Sequence, residues 1–318
     1  MNTYLAADMG GTKLLIGEVS AAGDILRQKR YPSGYKNQRE AVGGILAALG
    51  DYAATVGYVG APVAAGLAIT GLVDHDNGIW VSLDHTAGDP QPLAALLADK
   101  LGLPAAIDND VRSATAAEQR FGLGRVSGNF IYLNVGTGIA AGFVVGGRIL
   151  RGANCNAGEV GHTVPDYGSD VPCVCGRRGC VEAIAAGYGL TARSRALAAK
   201  YPGTLLTIPA QGGAVNVGEI FRLADAGDAL CVRLIEDAAD ALACTIMNLV
   251  RTTDPDAVVL GGGIVADGWM LRKILPRMTH SAIRGLRHGI VLSALDPQKV
   301  SLIGAAAVAA GAANYPGT

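Results

Sequence analysis

The order of hydrophobic and polar positions divides the first part of the chain into short strands, glycine turns and helices. The apolar segment at 4–19 is interrupted by Gly10-Gly11, which predicts a strand–turn–strand hairpin. Apolar residues at three- and four-residue spacing predict a helix over 38–56. Further strands are predicted at 25–31, 63–70 and 104–107, and further helices at 92–101 and from Asp108-Asn109-Asp110 through about Gln119.

The same pattern begins again near the middle of the chain. Strands predicted at 129–135 and 139–145 flank a turn at Gly136-Thr137-Gly138, and a third strand follows at 148–150. This second strand–turn–strand pattern resembles the N-terminal hairpin and predicts two related α/β lobes. The remaining pattern predicts a long helix at about 228–252, a strand at 257–260 ending in Gly261-Gly262-Gly263, and an Ala-rich helix at 303–313.

Composition narrows the class of protein. Of 318 residues, 50% are hydrophobic and 17% are charged, which predicts a folded chain rather than a disordered one. A net charge of −1 leaves no broad basic field for nucleic acid or anionic lipid. No apolar run approaches the ~18–20 residues of a membrane span, and the N-terminal residues do not resemble a secretory signal. We therefore expect a soluble cytoplasmic protein.

The glycine turns are candidate phosphate-binding sites. Without a Cβ, successive main-chain N–H groups can approach an anion closely, although hairpins also require glycine for purely structural reasons. No P-loop sequence G-x-x-x-x-G-K-[ST] is present. Residues 136–141 match the permissive dinucleotide fingerprint G-x-G-x-x-A, but that fingerprint must open a helix and the following sequence is β-rich.

Three cysteines and one histidine lie close together in the sequence. His162, Cys173, Cys175 and Cys180 provide four soft ligands, enough for a tetrahedral Zn²⁺ site. The C-x-C spacing is tighter than usual, and the alternative is a set of reduced, unliganded thiols. Gly176 and Gly179 favour the metal site because they let the loop fold back on itself.

The chain resembles the ROK family, which contains sugar kinases and sugar-responsive repressors. The resemblance spans roughly residues 4–310, and its most specific part is the CxCGxxGCxE segment downstream of ExGH. It is carried by these motifs in order: Asp8-Met9-Gly10-Gly11-Thr12-Lys13, Asp108-Asn109-Asp110, Gly136-Thr137-Gly138, Gly158-Glu159-Val160-Gly161-His162, Cys173 to Glu182, and Leu260-Gly261-Gly262-Gly263.

The resemblance implies a two-lobed α/β protein of the actin-like, ribonuclease-H-like ATPase fold, with a nucleotide and sugar cleft between the lobes. We place the N-terminal lobe at 1–112 plus 298–318 and the C-terminal lobe at 113–297. The implied activity is ATP-dependent phosphorylation of a hexose hydroxyl, most simply O6 of glucose or a related hexose. The resemblance also implies a homodimer.

Asp110 is the residue that the resemblance matches to the family's catalytic base. A carboxylate within hydrogen-bond reach of a sugar hydroxyl can accept its proton during attack on the γ-phosphate. On local sequence alone, an aspartate between a strand and a helix is equally explained as a helix N-cap. The same resemblance assigns sugar binding to Asn109, Asp110, Glu159, His162 and Glu182.

The nucleotide side is assigned by the same resemblance. Asp8 matches the family's acidic residue near Mg–ATP, where a carboxylate is compatible with phosphates only if a cation such as Mg²⁺ lies between them. An Asx turn within the hairpin is its structural alternative. The residues expected at ATP are Gly10, Gly11, Thr12, Lys13, Gly136, Thr137, Gly138, Gly261, Gly262 and Gly263.

The family's zinc site uses His162, Cys173, Cys175 and Cys180, and none of them is replaced here. We interpret the zinc as structural, because four protein ligands leave no position for water or substrate. The bound zinc would fold the loop that presents Glu159, His162 and Glu182 to the sugar.

The sequence departs from the family pattern in the loop after Ser82. Many members have Asn-Leu followed by Trp, whereas this chain has Asp84-His85-Thr86-Ala87. Asp84 and His85 could face an amino group of the sugar, or they could be exposed loop residues. The substrate could therefore be an amino- or N-acyl-hexosamine or fructose instead of glucose.

Two other function classes fit the sequence less well. A ROK repressor carries a helix-turn-helix domain before the first hairpin, and here only three residues precede the first predicted strand. A zinc-containing dehydrogenase would turn over nicotinamide rather than ATP. We therefore expect a kinase with sugar and ATP as partners, and no nucleic acid or membrane.

Overall fold

The computed structural model describes residues 1–83, 88–210 and 212–313, and the chain separates into two compact units. The first unit comprises Met1–Gly128, Gly142–Ala157 and the C-terminal residues from Ala294, and the second comprises Asn129–Ala141 and Gly158–Ser293. Among the described residues, no helix combines the length and apolar character needed to cross a membrane.

The first unit is built on a five-stranded mixed sheet. Its spatial order is β3-β2-β1-β4-β7, with an antiparallel hairpin on one side and three parallel strands on the other. The strands are β1 Asn2–Met9, β2 Lys13–Ser20, β3 Ile25–Pro32, β4 Ala61–Ile69 and β7 Ala105–Asn109, and a separate small hairpin joins β5 Leu72–Asp74 to β6 Ile79–Ser82.

Helices cover both faces of this sheet. On one face, Leu5, Leu14 and Ile16 pack with Ile45 and Leu97 in a single apolar core, and on the other Ala6 and Ala68 pack with Leu302 and Ala305. The helices of the unit are α1 Gln38–Thr55, α2 Leu93–Leu101, α3 Asp110–Phe121 and α10 Val300–Ala313, with a 3₁₀ turn at Leu123–Arg125.

Small residues let α10 lie directly against its neighbours. A Cβ on Gly66 in β4 would lie 1.9 Å from the carbonyl oxygen of Ala305, and a Cβ on Gly304 would lie 1.9 Å from that of Ser113. This close packing binds α3 to α10, so α3 belongs to the first unit. We predicted that the first lobe ends at residue 112 and resumes at 298. The observed first unit instead continues to Gly128 and also includes 142–157 and 294–297.

The second sheet repeats the strand order of the first, as β10-β9-β8-β11-β12. Again β9 and β10 pair antiparallel, while β8, β11 and β12 run parallel. The strands are β8 Phe130–Val135, β9 Ile139–Val145, β10 Arg148–Ile149, β11 Ala257–Gly261 and β12 Gly289–Leu292.

The second unit holds the remaining helices. Its longest helix, α7, begins after the N-cap Asp228, whose side chain accepts a hydrogen bond from the backbone N–H of Cys231. The helices are α4 Val181–Ala185, α5 Gly187–Leu197, α6 Val217–Asp225, α7 Ala229–Thr253, α8 Trp269–Ile274 and α9 His280–Ile283, with 3₁₀ turns at Val160–His162, Ala198–Lys200 and Leu275–Arg277.

The predicted elements are all present, with end shifts of up to three residues. One shift affects the candidate site: β7 extends through Asn109 instead of ending at 107. Asp108 and Asn109 thus belong to the strand, and Asp110 is the first residue of α3.

Candidate functional site

In the first unit, polar residues gather where the parallel strands end. Asp8 in β1 pairs with Ala68 in β4, and Ala68 pairs with Asp108 in β7, so all three lie at one level of the sheet. Ligands of open α/β sheets bind outside the carboxyl ends of the strands. The predicted residues Gly10, Gly11 and Asp110 follow at this same edge.

Asp8 is a buried carboxyl group close to other charges. Burial, reinforced by the negative charge of Asp110, raises the pKa of Asp8 from 3.8 to about 6, although Lys13 acts in the opposite direction. Two carboxylates that repel each other at a strand end form a donor set that suits a hard divalent cation. The site therefore fits Mg²⁺ chemically, and the Asx-turn alternative does not account for the repulsion.

Asp110 is the first residue of α3 rather than its N-cap, although its Oδ1 also accepts a hydrogen bond from the Val111 N–H at 2.9 Å. The N-cap is Asn109, whose Oδ1 accepts hydrogen bonds from the backbone N–H groups of Val111 at 3.0 Å and Arg112 at 3.5 Å. The Nδ2 of Asn109 donates to the carbonyl oxygen of Gly71 at 3.0 Å. Asn109, predicted as a sugar ligand, thus fixes the start of α3 and the neighbouring turn, while its second amide hydrogen is not used in these contacts.

Beneath Asp110, Asp108 is the centre of a buried ionic network that the sequence analysis missed. Its side chain is 0% exposed, and its two oxygens accept from Arg112 at 2.7 Å and Arg151 at 2.8 Å, with His75 Nδ1 at 3.5 Å. Arg112 also donates to the carbonyl oxygens of Cys155 and Val73. The network holds three chain segments against the strand that leads to Asp110.

Part of this network had a sequence signal. Asp108 and Arg112 have the (i, i+4) spacing of a helical ion pair, although Asp108 itself lies one residue before the N-cap. Nothing local links Arg151 or His75 to Asp108, since only the fold brings them together.

In the second unit, the turn Gly136–Gly138 is fixed by Glu182. The Gly136 N–H donates to the Gly138 carbonyl oxygen at 2.9 Å, and Glu182 Oε2 accepts from the Ile139 N–H at 2.7 Å. A Cβ on Gly138 would lie 2.7 Å from this same Oε2. Glu182, predicted as a sugar ligand, thus lies directly against the predicted phosphate turn.

The glycines of the turns differ in what their missing side chain allows. Among the described residues other than the adjoining ones, no atom lies within 4 Å of the Cβ position at Gly10, Gly11 or Gly263, which leaves open space for a ligand. Gly262 is different, because its φ of +92° and the Val135 carbonyl oxygen at 2.4 Å exclude any side chain. Thr12 in the first turn and Thr137 in the second are both exposed.

His162, Cys173, Cys175 and Cys180 come together as predicted. Their ligand atoms all lie within 4.8 Å of one another. Cys173 Sγ is 3.5 Å from His162 Nδ1, and the sulfurs of Cys175 and Cys180 are 3.6 Å apart, far longer than a disulfide bond. Two sulfurs bound tetrahedrally to zinc lie about 3.8 Å apart, so the cluster has the spacing of a zinc site.

The cluster's electrostatics also fit a cation. Burial, followed by the neighbouring Cys175 and Cys173, raises the pKa of Cys180 to about 12. A divalent cation among the sulfurs favours the thiolate and removes this penalty. Glu159 precedes the 3₁₀ turn that carries His162, and its side chain is exposed.

Comparison with known proteins decides the family. A model of the ROK family matches residues 4–312. The chain belongs to the ROK family. The predicted family is therefore confirmed, together with the α/β fold of the actin-like, ribonuclease-H-like ATPases.

Individual relatives of this ROK protein cover nearly its whole length. N-acetylmannosamine kinase of Escherichia coli O9:H4 (strain HS) is 32% identical over 317 residues, covering 97% of this chain and 99% of that protein. The ROK hexokinase from Thermus thermophilus has a TM-score of 0.77 and 29% identity, with coverage of 97% and 98%. A ROK glucokinase from Streptomyces griseus, in complex with glucose and AMPPNP, has a TM-score of 0.77 and 27% identity, with coverage of 97% and 99%.

The predicted specificity residues Asp84 and His85 lie outside the described residues. Ser82, which ends the strand before this loop, lies against the turn at Gly71, where a Cβ would be 2.2 Å from the Ser82 carbonyl oxygen. The φ of +102° at Gly71 also favours glycine.

Proposed function

We propose that this protein is an ATP-dependent kinase that phosphorylates a hexose hydroxyl, O6 by preference, with Asp110 as the general base. The observation that carries the proposal is the position of Asp110. It lies just after the carboxyl end of β7, Asn109 rather than Asp110 is the N-cap of α3, and the charge of Asp110 acts on the buried Asp8. Such a carboxylate can accept the sugar proton as the hydroxyl attacks phosphorus.

The nucleotide side rests on Asp8 and the glycine turns. Asp8 would hold Mg²⁺, which when bound offsets the charge of the phosphates. In the first unit, the backbone N–H groups of Gly11 and Thr12 would donate to phosphate oxygens, since that of Gly10 donates to the Lys13 carbonyl oxygen. In the second unit, Thr137 and Gly138 would supply the donors, since the Gly136 N–H donates within its own turn. Lys13 would add a positive charge, and Gly261 to Gly263 would line the adenosine.

The metal cluster supports the sugar side. His162, Cys173, Cys175 and Cys180 would hold a structural Zn²⁺ whose binding stabilises the loop around it. Glu159, His162 and Glu182 would then face the sugar hydroxyls, together with Asn109. A zinc-bound histidine has its second ring nitrogen fixed as a hydrogen-bond donor, which suits a hydroxyl oxygen.

The second candidate is an N-acylhexosamine kinase. Its support is the N-acetylmannosamine kinase that is 32% identical over nearly the full length of both proteins, a higher identity than that of the glucokinase in complex with glucose. Both candidates use the same base and the same phosphate turns, so they differ only in the groups around the sugar.

A coupled ADP-release assay tests the proposal. Glucose, mannose, fructose, glucosamine, N-acetylglucosamine and N-acetylmannosamine are each supplied with Mg–ATP, and positional analysis of the product identifies the phosphorylated hydroxyl. We expect turnover with at least one of these sugars and its loss in Asp110→Asn. Turnover that persists in Asp110→Asn would contradict the assignment of the base, and turnover with none of the sugars would contradict the proposed substrate class.

Cytoplasmic location and a homodimer complete the proposal. Light scattering during size-exclusion chromatography measures the mass directly, and a mass near twice the 32.3 kDa of the chain is expected. A mass equal to that of one chain would contradict the homodimer.

A further inference from the structure

Tyr188 in the second unit lies beside the Gly136–Gly138 turn, Cys173 and Glu182. It is the second residue of α5, and the first two N–H groups of this helix contact the predicted phosphate turn. The Gly187 N–H donates to the Gly136 carbonyl oxygen at 2.9 Å, and the Tyr188 N–H donates to the Thr137 carbonyl oxygen at 3.2 Å. The backbone of Tyr188 is thus attached to the turn itself.

The side chain of Tyr188 reaches two other residues of the candidate site. Its hydroxyl lies 3.7 Å from Cys173 Sγ, and the Glu182 carboxylate is close enough for its negative charge to act on the same hydroxyl. A phenol is protonated at neutral pH and can donate one hydrogen bond.

Glu182 connects the same hydroxyl back to the turn. One of its oxygens accepts from the Ile139 N–H, immediately after Gly138. A carboxylate fixed by a charge-assisted hydrogen bond from a backbone N–H, with a phenol beside it that can donate to it, has little freedom to rotate. Its orientation toward a sugar would therefore depend on Tyr188.

We propose that Tyr188 is a positioning residue that couples the His162–Cys173–Cys175–Cys180 cluster to Glu182 and to the Gly136–Gly138 turn. The inference rests on the proposed function, since it assumes that Glu182 binds the sugar. It assigns no chemical step to Tyr188. The hydroxyl holds Glu182 in place. Because metal binding would fix the position of Cys173, the contact between Cys173 and the hydroxyl would make the position of Glu182 depend on the metal.

Coupling of this kind is reciprocal. If metal binding favours the orientation of Glu182 that accepts a sugar, then bound sugar must slow the loss of the metal by the same equilibrium linkage. His162 would contribute to this coupling directly, because it is predicted to contact both metal and sugar. Removing the Tyr188 hydroxyl is therefore expected to reduce the coupling without abolishing it.

The experiment uses the purified zinc-containing protein and the variant Tyr188→Phe. Glucose and N-acetylmannosamine are titrated by calorimetry, and zinc transfer to a chromophoric chelator is timed with and without each sugar. Tyr167→Phe is the control, because it removes the same hydroxyl from a fully exposed side chain of the cysteine-rich loop.

For Tyr188→Phe we expect the Kd and KM of the bound sugar to rise about tenfold, which corresponds to the loss of one hydrogen bond to a charged group. kcat and the KM for ATP are expected to stay within about twofold of wild type, since the ring and the backbone contacts remain. Zinc release is expected to be faster, and less slowed by sugar, than in wild type. Tyr167→Phe should match wild type in every measurement.

Several outcomes would overturn the inference. Wild-type sugar affinity and zinc release in Tyr188→Phe would show that the hydroxyl positions nothing. Protein purified without zinc would show that no metal takes part in the coupling. Equal losses in kcat and both KM values, with a lower Tm, would reduce Tyr188 to a packing residue. The binding and zinc measurements need no turnover, so sugar binding without phosphate transfer would contradict the proposed function alone.

Discussion

The two units share one strand order but present different chemistry at the ends of their parallel strands. Asp8, after which the first glycine turn follows, has Asn134 as its counterpart before the second. The first unit places carboxylates at this edge, and the second places an amide and glycines. The same backbone plan can therefore hold a base and a cation site in one copy and a neutral phosphate cradle in the other.

The units also differ in how their polar residues are stabilised. In the first, a tertiary ion pair stabilises the buried charges of Asp108 and Arg112, whereas burial raises the pKa of Asp8 and disfavours its charge. In the second, a short loop brings His162 and three cysteines together, and Glu182 accepts a backbone hydrogen bond. Four predictions test this contrast.

The largest expected effect is that of Asp110→Asn. If the chemistry belongs to the carboxylate edge of the first unit, kcat should fall by at least about 10²-fold, because the amide cannot accept the proton. Sugar affinity and Tm should stay close to wild type, since Asn109 caps α3. Steady-state kinetics measures kcat, and calorimetry measures sugar affinity and Tm, with the exposed Asp99→Asn as control. A wild-type kcat would remove Asp110 from the mechanism.

Asp108→Asn should strongly destabilise the first unit. It leaves Arg112, whose side chain is only 5% exposed, without its counter-charge, and breaking a buried ion pair costs about 3–5 kcal/mol. Arg151→Gln should cost less, because the Arg151 side chain is 24% exposed. Urea unfolding compares the two variants. Equal effects would mean that burial does not set the strength of the network.

Cys175→Ser tests the cluster of the second unit. It is expected to lower the zinc content and to reduce Tm by at least about 5 °C, since the binding energy of a structural metal is folding energy. The control is Cys244→Ser, which changes a thiol outside the cluster. Elemental analysis and scanning calorimetry give the answer. Zinc retained at one ion per chain in Cys175→Ser would contradict the four-ligand site.

Asp8 should give the first unit a pH dependence that Asn134 cannot give the second. Because burial raises its pKa from 3.8 to about 6, the folded state holds the proton more tightly than the unfolded state. This contribution to stability is full below pH 3.8 and is lost as pH rises through about 6, a change of about 3 kcal/mol. The free energy of unfolding of wild type and of Asp8→Asn is measured against pH without Mg–ATP. The difference, wild type minus variant, should fall by this amount as pH rises. A difference that stays constant with pH would contradict the raised pKa.

Much of the candidate site could be predicted because its signals are local. The cysteine-rich loop brings its four ligands together within residues 162–180, and the glycine turns follow strands that the hydrophobic pattern already marks. Asp110 was ambiguous for a local reason as well. An aspartate between strand and helix has two explanations, and only the structure shows that Asn109 takes the N-cap position while Asp110 is the first helical residue.

The sequence by itself determined the elements, the two-fold repetition of the pattern, the family and the metal-ligand cluster, because each depends on spacing along a few residues. The tertiary structure decided which charges meet. Arg151 and His75 reach Asp108, Glu182 reaches Ile139, and Tyr188 reaches Cys173 only after the chain has folded. The close packing of α10 on α3 likewise moved the boundary of the first unit. Burial and long-range contacts are properties of the assembled fold, and no short stretch of sequence contains them.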